Sequence, residues 1–306
     1  MTQMGMIDVS NKPDTLRVAI AQAIVTMSNQ TIRLVKDGKT PKGNIVDAAT
    51  VSATMAAKRT SDLIPYCHPI PIDDVKVSVT IGKESVKIIT QVKSIWKTGV
   101  EMESLTSAAV AALTIYDMLK SIDESISIRS IRVIKKEGGL KQMYQIQDRK
   151  LRAAVLVTSD SRRKRRDRSG RLLVDRLKKE GFDLMYYKVV PDEIGLIKTE
   201  LTMLCDELKV DLILTSGGTG LGSHDVTPDA TSSILEKSLV GVPEILRAHG
   251  QRRTPSSMLS RAVAGVREKT IIINLPGSEK AVSESLDSLF PGINHIFDVL
   301  ENHKHS

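Results

Sequence analysis

The rhythm of apolar and polar positions changes near residue 150. Before that point, helix-like and strand-like stretches come in groups. The spacing predicts helices over 16–27, 48–58 and 107–122, the last apolar nearly all round and therefore expected to be buried. Residues 75–81 and 85–93 alternate with β-branched side chains, and Gly82-Lys83-Glu84 between them punctuates a hairpin. Residues 128–136 read as another strand. This mixed order predicts an α+β layer. After residue 150, buried strands in RAAVLVTSD, LMYYKVVPD, DLILTSGGTG and TIIINLPGS alternate with helices over 170–180 and 194–208. Such alternation predicts an α/β three-layer domain whose mostly parallel sheet is covered on both faces. The polar segment 145–152 separates the two patterns, giving expected domains of 1–148 and 149–306.

A chain of 306 residues with 41% hydrophobic and 26% charged residues has the composition of two globular domains, not of disorder. Aromatics make up only 3%, which leaves few platforms for stacking bases and argues against single-stranded nucleic acid as the ligand. The net charge of +8 favours anionic partners, phosphorylated small molecules among them. Two cysteines, Cys67 and Cys205, make no disulfide framework and fit a reducing compartment. No apolar run is long enough to span a bilayer, and MTQMGMIDVSNKPD lacks the apolar core of a signal peptide, so the sequence predicts a cytoplasmic protein with no membrane partner.

In the first half, Pro65, Pro69 and Pro71 stiffen a loop around Cys67 and His68. Adjacent side chains rarely converge on one metal ion, and the pair alone reads best as a packed Cys beside a packed or capping His. Asp117 and Lys120 share a face of the third helix at spacing i, i+3. Two readings stay open: an ion pair that fixes register, or a lysine tuned for proton transfer. Glu101 and Glu103 flank Met102. On a strand both carboxylates would face one side, either towards a pterin or ribose or simply into solvent.

The segments MIDVSNK, DLIPYCHPIPI and TGVEMESLTSAAVAALTIYDMLK resemble the MoaC family of cyclic pyranopterin monophosphate synthases over residues 6–139. That likeness implies a ferredoxin-like α+β fold, a hexameric assembly, no tightly bound cofactor, and conversion of 3′,8-cyclo-7,8-dihydro-GTP to cyclic pyranopterin monophosphate and pyrophosphate. It implies catalytic roles for Lys42, Asp117 and Lys120, and substrate binding by Arg17, His68, Glu101, Met102, Glu103 and Lys136. The sequence departs from the family's closing Lys-Ser-Gly-Gly-Lys-Ser-Gly. Here it reads KEGGLKQ, with Glu137 for Ser and Leu140 for Lys. A carboxylate beside a phosphate site repels substrate, so Glu137 must point away or the domain is impaired.

In the second half, TSGGTGLGSHDVTPDA follows a buried strand. Gly217, Gly218, Gly220 and Gly222 suit either a tight turn or a loop whose N–H groups cradle an anion. No Lys-Ser/Thr follows, so it is not a Walker loop. Asp225 beside such a cradle calls for a bridging cation such as Mg²⁺, and Asp192 at another strand end is either the second carboxylate or an N-cap. Pro276 and Gly277 end the last strand at the edge where such sheets bind ligands. The basic run 162–168 reads as a solvated loop, a funnel for anions or a nucleic-acid patch.

SGGTGLGSHDVTPDA, LSRAVAG and NLPGSEKAV are similar to the MogA/MoaB family of molybdopterin adenylyltransferases over residues 151–302. The likeness implies transfer of AMP from Mg-ATP to the molybdopterin phosphate, a trimeric assembly, functional aspartates at Asp192 and Asp225 with Mg²⁺, and substrate binding by Gly217, Gly218, Thr219, Gly220, Ser260, Pro276 and Gly277. Asp167-Arg168-Ser169-Gly170 matches a further element, with Arg168 in place of Lys. Together the two likenesses imply a bifunctional enzyme acting on pterins and GTP-derived molecules, as a homo-oligomer with three-fold symmetry that a fused hexamer would satisfy. They also imply that its substrates are not consecutive intermediates, because sulfur must enter between them. The alternative expectations are a first domain that binds or assembles without turnover, and a basic nucleic-acid-binding protein.

Overall fold

The structure is a computed structural model, and it describes residues 4–139, 150–160 and 167–300. Its contacts divide the chain into two compact units, Met1–Met143 and Tyr144–Ser306. The boundary expected between 148 and 149 lies outside the described residues.

The first unit runs β1 (Thr15–Thr26), α1 (Asn29–Lys36), α2 (Ile45–Lys58), a short α3 (Thr60–Leu63), β2 (Asp74–Ile81), β3 (Ser85–Trp96), α4 (Glu101–Leu119) and β4 (Ser127–Gly138). The strands form one antiparallel sheet in the order β2-β3-β1-β4. The stretch predicted as a helix over 16–27 is the central strand β1. Ala19, Ala21, Ala23 and Val25 are buried on one face. Val18, Ile20 and Ile24 alternate with them, so both faces are apolar and the two-residue period is masked. Pairing with β3 and β4 on either side outweighs local propensity.

Alanine sets the spacing of this unit. Ala49 and Ala53 of α2, Ala108, Ala111 and Ala112 of α4, and Ala21 and Ala23 of β1 are all buried together, which lets helices and sheet approach closely. Buried hydroxyls tie the layers: Ser107 Oγ donates to Ala53 O at 2.9 Å, and Thr90 Oγ1 donates to Ser104 O at 2.8 Å. The helix predicted to be buried all round is not. Leu113 and Tyr116 of α4 are exposed, because the sheet and α2 cover only its inner side.

The second unit runs β5 (Arg152–Thr158), α5 (Arg168–Lys179), β6 (Asp183–Val190), α6 (Ile194–Asp206), β7 (Leu212–Ser216), α7 (Thr227–Ser232), β8 (Lys237–Ser238), α8 (Gly241–Gln251), a 3₁₀ turn (Pro255–Leu259), β9 (Ala264–Arg267), β10 (Thr270–Leu275), α9 (Glu279–Leu289) and α10 (Asn294–Leu300). The sheet order is β6-β5-β7-β10-β9-β8; the first four strands are parallel, β9 pairs antiparallel with β10, and β8 pairs antiparallel with β9. Ala153, Val155 and Val157 of β5 pack with Leu173 and Leu177 of α5 and Leu286 of α9. Ala154 and Leu156 pack on the other face with Ile197, Leu201 and Leu204 of α6. Burial on both faces is why these strands read as unbroken apolar runs. Among the described residues, no helix is long and apolar enough to cross a membrane.

One polar group is embedded in this core. Asn274 of β10 is fully buried, and its Nδ2 donates to Thr215 Oγ1 at 3.0 Å and Thr231 Oγ1 at 2.9 Å, fastening α7 to the sheet. Asn274→Ala strips both hydroxyls of their donor. It should lower the stability of the second unit by about 1–3 kcal/mol, read as an earlier urea midpoint.

Candidate active sites

In the first unit, Asn44 caps α2, its side chain accepting from Val46 N at 2.8 Å, and this fixes the turn that carries Lys42. Lys42 Nζ donates to Asp117 Oδ2 at 2.8 Å and to Asp117 O at 2.9 Å. Lys120, one turn further along α4, meets Asp117 Oδ1 at 2.8 Å. All three side chains are roughly half exposed, so the cluster is open to a ligand. Hydrogen bonds from Lys120 and Lys42 hold the Asp117 carboxyl down to about 2, and Asp117 in turn raises the affinity of Lys120 for its proton.

Arg17, Glu101 and Lys136 gather at the other end of α4, around a cavity of about 390 Å³ that Lys12 and Gly139 also line. Gly139 has φ +86°, which strains any other residue, and a Cβ there would stand 2.0 Å from Arg17 Nη1, so the guanidinium would have to move aside. Burial lowers the Arg17 pKa, and the Glu101 carboxylate opposes that. Lys136 Nζ lies 3.9 Å from Glu101 Oε1. Met102 is partly exposed beside Glu101.

Glu101 and Glu103 sit on the first turn of α4, not on a strand, so they do not share a face. Glu103 is 2% exposed; its Oε1 accepts from the Cys67 thiol at 3.4 Å, and Oε2 is buried with no hydrogen-bond partner. Burial raises the Glu103 pKa and, together with Glu103, pushes the Cys67 thiol up to about 11. His68 Nε2 donates to Ile7 O at 2.9 Å. Neither Glu103 nor His68 lines the cavity around Arg17.

In the second unit, the turns that end β5, β6, β7 and β10 meet at the carboxyl edge of the sheet. Gly218 has φ +58°, and a Cβ there would lie 2.5 Å from Thr227 Oγ1 and 3.0 Å from Asp192 Oδ1. Gly217 backs onto Thr158 and Gly277. Asp192 Oδ2 accepts from Asp160 N at 3.1 Å, while Oδ1 is buried without a hydrogen-bond partner. Burial raises the Asp192 pKa, and the carboxylates of Asp160 and Asp225 act in the same direction. Asp225 Oδ2 accepts from Gly222 N at 2.8 Å and lies 2.8 Å from where a Gly220 Cβ would be. Thr219, Gly220, Ser260 and Pro276 border a cavity of about 480 Å³ that Arg247, Arg253 and Lys280 also line. Arg261 N donates to Thr219 O at 2.8 Å and so braces the glycine-rich turn.

Residues 6–139 match the MoaC family, and residues 154–295 match the probable molybdopterin binding domain. A molybdenum cofactor biosynthesis bifunctional protein of Chlorobaculum tepidum is 39% identical across 98% of this chain and 96% of its own length. The chain belongs to the family of bifunctional molybdenum cofactor biosynthesis proteins. Its first unit is a MoaC unit and its second is of the MogA/MoaB kind. The cyclic pyranopterin monophosphate synthase of Thermomicrobium roseum is 44% identical, over 50% of this chain and 93% of its own. The molybdopterin biosynthesis enzyme MoaB of Thermus thermophilus has 39% identity over 49% of this chain and 96% of its own, with a TM-score of 0.46.

The departure in the MoaC unit lies on strand β4. Lys135 and Glu137 form an ion pair on one face of the strand, whereas Lys136 turns to the opposite face, towards Glu101. Glu137 nevertheless lines the cavity around Arg17, its charge offset only by this exposed pair. Leu140, Lys141 and most of the basic run, 162–166, lie outside the described residues. Asp167 serves as the N-cap of α5, accepting from Gly170 N at 3.0 Å and from the Tyr187 hydroxyl at 2.6 Å; Arg168 is exposed. Sequence reasoning missed Lys12, Asp160, Arg247, Arg253 and Lys280. The signal for Asp160 was present, an acidic residue just beyond β5 as Asp192 is just beyond β6.

A carboxyl with a lowered folded-state pKa keeps its charge above the ordinary range and loses it as pH falls through the folded value. Asp117 should therefore titrate near 2 by carbon-13 NMR and be fully charged at neutral pH. Lys120→Met should return its midpoint towards the ordinary value of about 3.9.

Proposed function

We propose that the MoaC unit converts 3′,8-cyclo-7,8-dihydro-GTP to cyclic pyranopterin monophosphate and pyrophosphate, and that the second unit adenylylates molybdopterin with Mg-ATP. The observation that carries the first reading is the Lys42–Asp117–Lys120 cluster. Asp117 pairs with both ammonium groups and orients them. Lys120, whose hold on its proton is strengthened, suits a fixed cation for phosphate, as Lys42 does, and would donate its proton only once substrate displaces Asp117. In the cyclisation a substrate hydroxyl attacks the α-phosphorus and pyrophosphate leaves; Arg17, Lys12 and Lys136 are the cations available to hold its charge. The pairing of Glu137 with Lys135 offsets the carboxylate that this chain brings to the cavity, and turnover decides between an active unit and a binding module.

The two cation groups stand at opposite ends of α4, which spans roughly 28 Å at 1.5 Å per residue. One substrate cannot touch both within a single copy. We therefore read the site as shared between copies in a homo-oligomer with three-fold symmetry, and the exposed Val51, Met55, Leu113 and Tyr116 beside the cluster support that reading. The βαββαβ order and the β2-β3-β1-β4 sheet support the ferredoxin-like description of this unit. The free Cys67 and Cys205 support a cytoplasmic setting.

For the second unit, the terminal phosphate oxygen of molybdopterin attacks the α-phosphorus of ATP, and pyrophosphate leaves. Among the described residues, no three His, Cys, Asp or Glu side chains form a metal cage. Asp192 and Asp225 fit the one or two carboxylates that Mg²⁺ takes besides phosphate oxygens, and the unpartnered Asp192 Oδ1 is the atom that points to it. Bound there, Mg²⁺ supplies neutralisation of phosphate charge. Gly217, Gly218, Thr219 and Gly220 bring backbone groups up to the phosphates. The cavity bordered by Ser260 and Pro276 is basic enough for an anionic pterin.

Lys120→Ala should lower turnover of the cyclised dihydro-GTP by about 10²–10⁴-fold and leave adenylylation intact, with Asp192→Ala doing the reverse. Loss of neither activity sinks the assignment. A shared first site makes a further demand. Co-assembled Arg17→Ala and Lys120→Ala chains, each inactive alone, should regain turnover in mixed oligomers. No recovery, or a monomer by light scattering, refutes sharing.

A further inference from the structure

We propose that Asp160 is a positioning residue of the second site, fixing the turn that carries Asp192 so that Asp192 Oδ1 is presented to the bound nucleotide and its cation. The proposal rests on the adenylyl-transfer reading of that site.

Asp160 and Asp192 follow neighbouring parallel strands, β5 and β6, whose pairing continues past Thr158 and Val190 through a bond from Ser159 N to Val190 O at 2.9 Å. The next step of the two chains is a reciprocal exchange. Asp192 N donates to Asp160 Oδ1 at 2.9 Å, and Asp160 N donates to Asp192 Oδ2 at 3.1 Å. Each carboxylate spends one oxygen on the other residue's backbone.

The second oxygens have different fates. Asp160 Oδ2 lies 3.1 Å from His224 Nδ1, on the glycine-rich turn after β7. Asp192 Oδ1 is buried beside Gly218 with no hydrogen-bond partner. Both oxygens of Asp160 are therefore engaged within the protein, whereas Asp192 keeps one for a ligand. Asp160 also links three turns that the site needs in register, those after β5, β6 and β7. Removing its side chain leaves the Asp160 N–H contact in place but frees the Asp192 backbone and the His224 ring.

The test is calorimetric titration of the full-length chain with ATP at a series of Mg²⁺ concentrations, a binding readout independent of turnover. Removing a group that orients a metal-binding side chain costs on the order of 10–100-fold in metal affinity, so Asp160→Ala should raise the Mg²⁺ needed for half-maximal ATP binding by that factor, while Asp160→Asn, whose amide oxygen still accepts from Asp192 N, should stay within about threefold of wild type. His224→Ala alters an exposed side chain that folding does not need, and should shift the Mg²⁺ requirement in the same direction as Asp160→Ala. Thermal unfolding should be unchanged in all three. Wild-type Mg²⁺ dependence in Asp160→Ala overturns the proposal alone, and so does an Asn variant as impaired as the Ala variant, since that would mean the charge acts directly. A wild-type chain that binds no ATP at any Mg²⁺ concentration overturns the adenylyl-transfer reading, and the proposal with it.

Discussion

A Cβ on Gly218 would stand 2.5 Å from Thr227 Oγ1 and 3.0 Å from Asp192 Oδ1, closer than packed side chains tolerate. The glycine-rich turn can approach Asp192 only because that atom is missing, and the left-handed backbone at the same residue rules out an ordinary side chain there for a second reason. The rest of the edge depends on this approach. Thr227 N donates to Gly218 O at 3.1 Å and starts α7; α7 is held to the sheet through Asn274, and Arg261 braces the neighbouring Thr219. In the MoaC unit, Gly139 also adopts a positive φ, with the Arg17 guanidinium lying where a Cβ would be.

The two units use carboxylates in opposite electrostatic settings. Asp117 sits between two lysines and stays ionised below the ordinary range, so its part is to aim both ammonium groups. Asp192 is partly buried near two other carboxylates and holds a proton more readily than usual. A group in that setting gains most from an incoming cation, because the cation relieves both the burial and the like-charge repulsion. An open cationic cluster suits a ligand that brings negative charge; a partly buried acidic edge suits one that brings charge and its counterion together.

Much of this was legible in the sequence, for reasons that can be named. The strands of the second unit are apolar on both faces, and the glycines, Pro276 and the aspartates fall at their carboxyl ends, so edge and site could be placed together. Lys42 and Asp117, 75 residues apart, were joined only through family resemblance; no periodicity brings a turn before α2 onto the end of α4. β1 was misread because alanine fills one face of it and aliphatic side chains the other, which hides a strand's alternation. Glu101 and Glu103 were placed on a shared face because the helix start at Val100 carries no capping side chain to announce it. Asp160 went unnoticed because its role lies in a reciprocal backbone exchange with Asp192, and a sequence does not display which strands are neighbours.

The length of α4 bears on how the first unit works. A helix of 19 residues is a fixed spacer, and its two ends cannot be brought to one substrate by any side-chain motion within the unit. If both cation groups serve one reaction, the reaction needs a second copy, and its activity must then depend on assembly. The second unit is different in kind: the residues named for its site come from turns at one sheet edge of one copy. On the proposed function the two reactions are also not consecutive, since sulfur enters between them, so no intermediate needs to pass from one unit to the other. On that reading the two sites make separate demands on the fold: contacts between copies for the first, and the register of three neighbouring turns for the second.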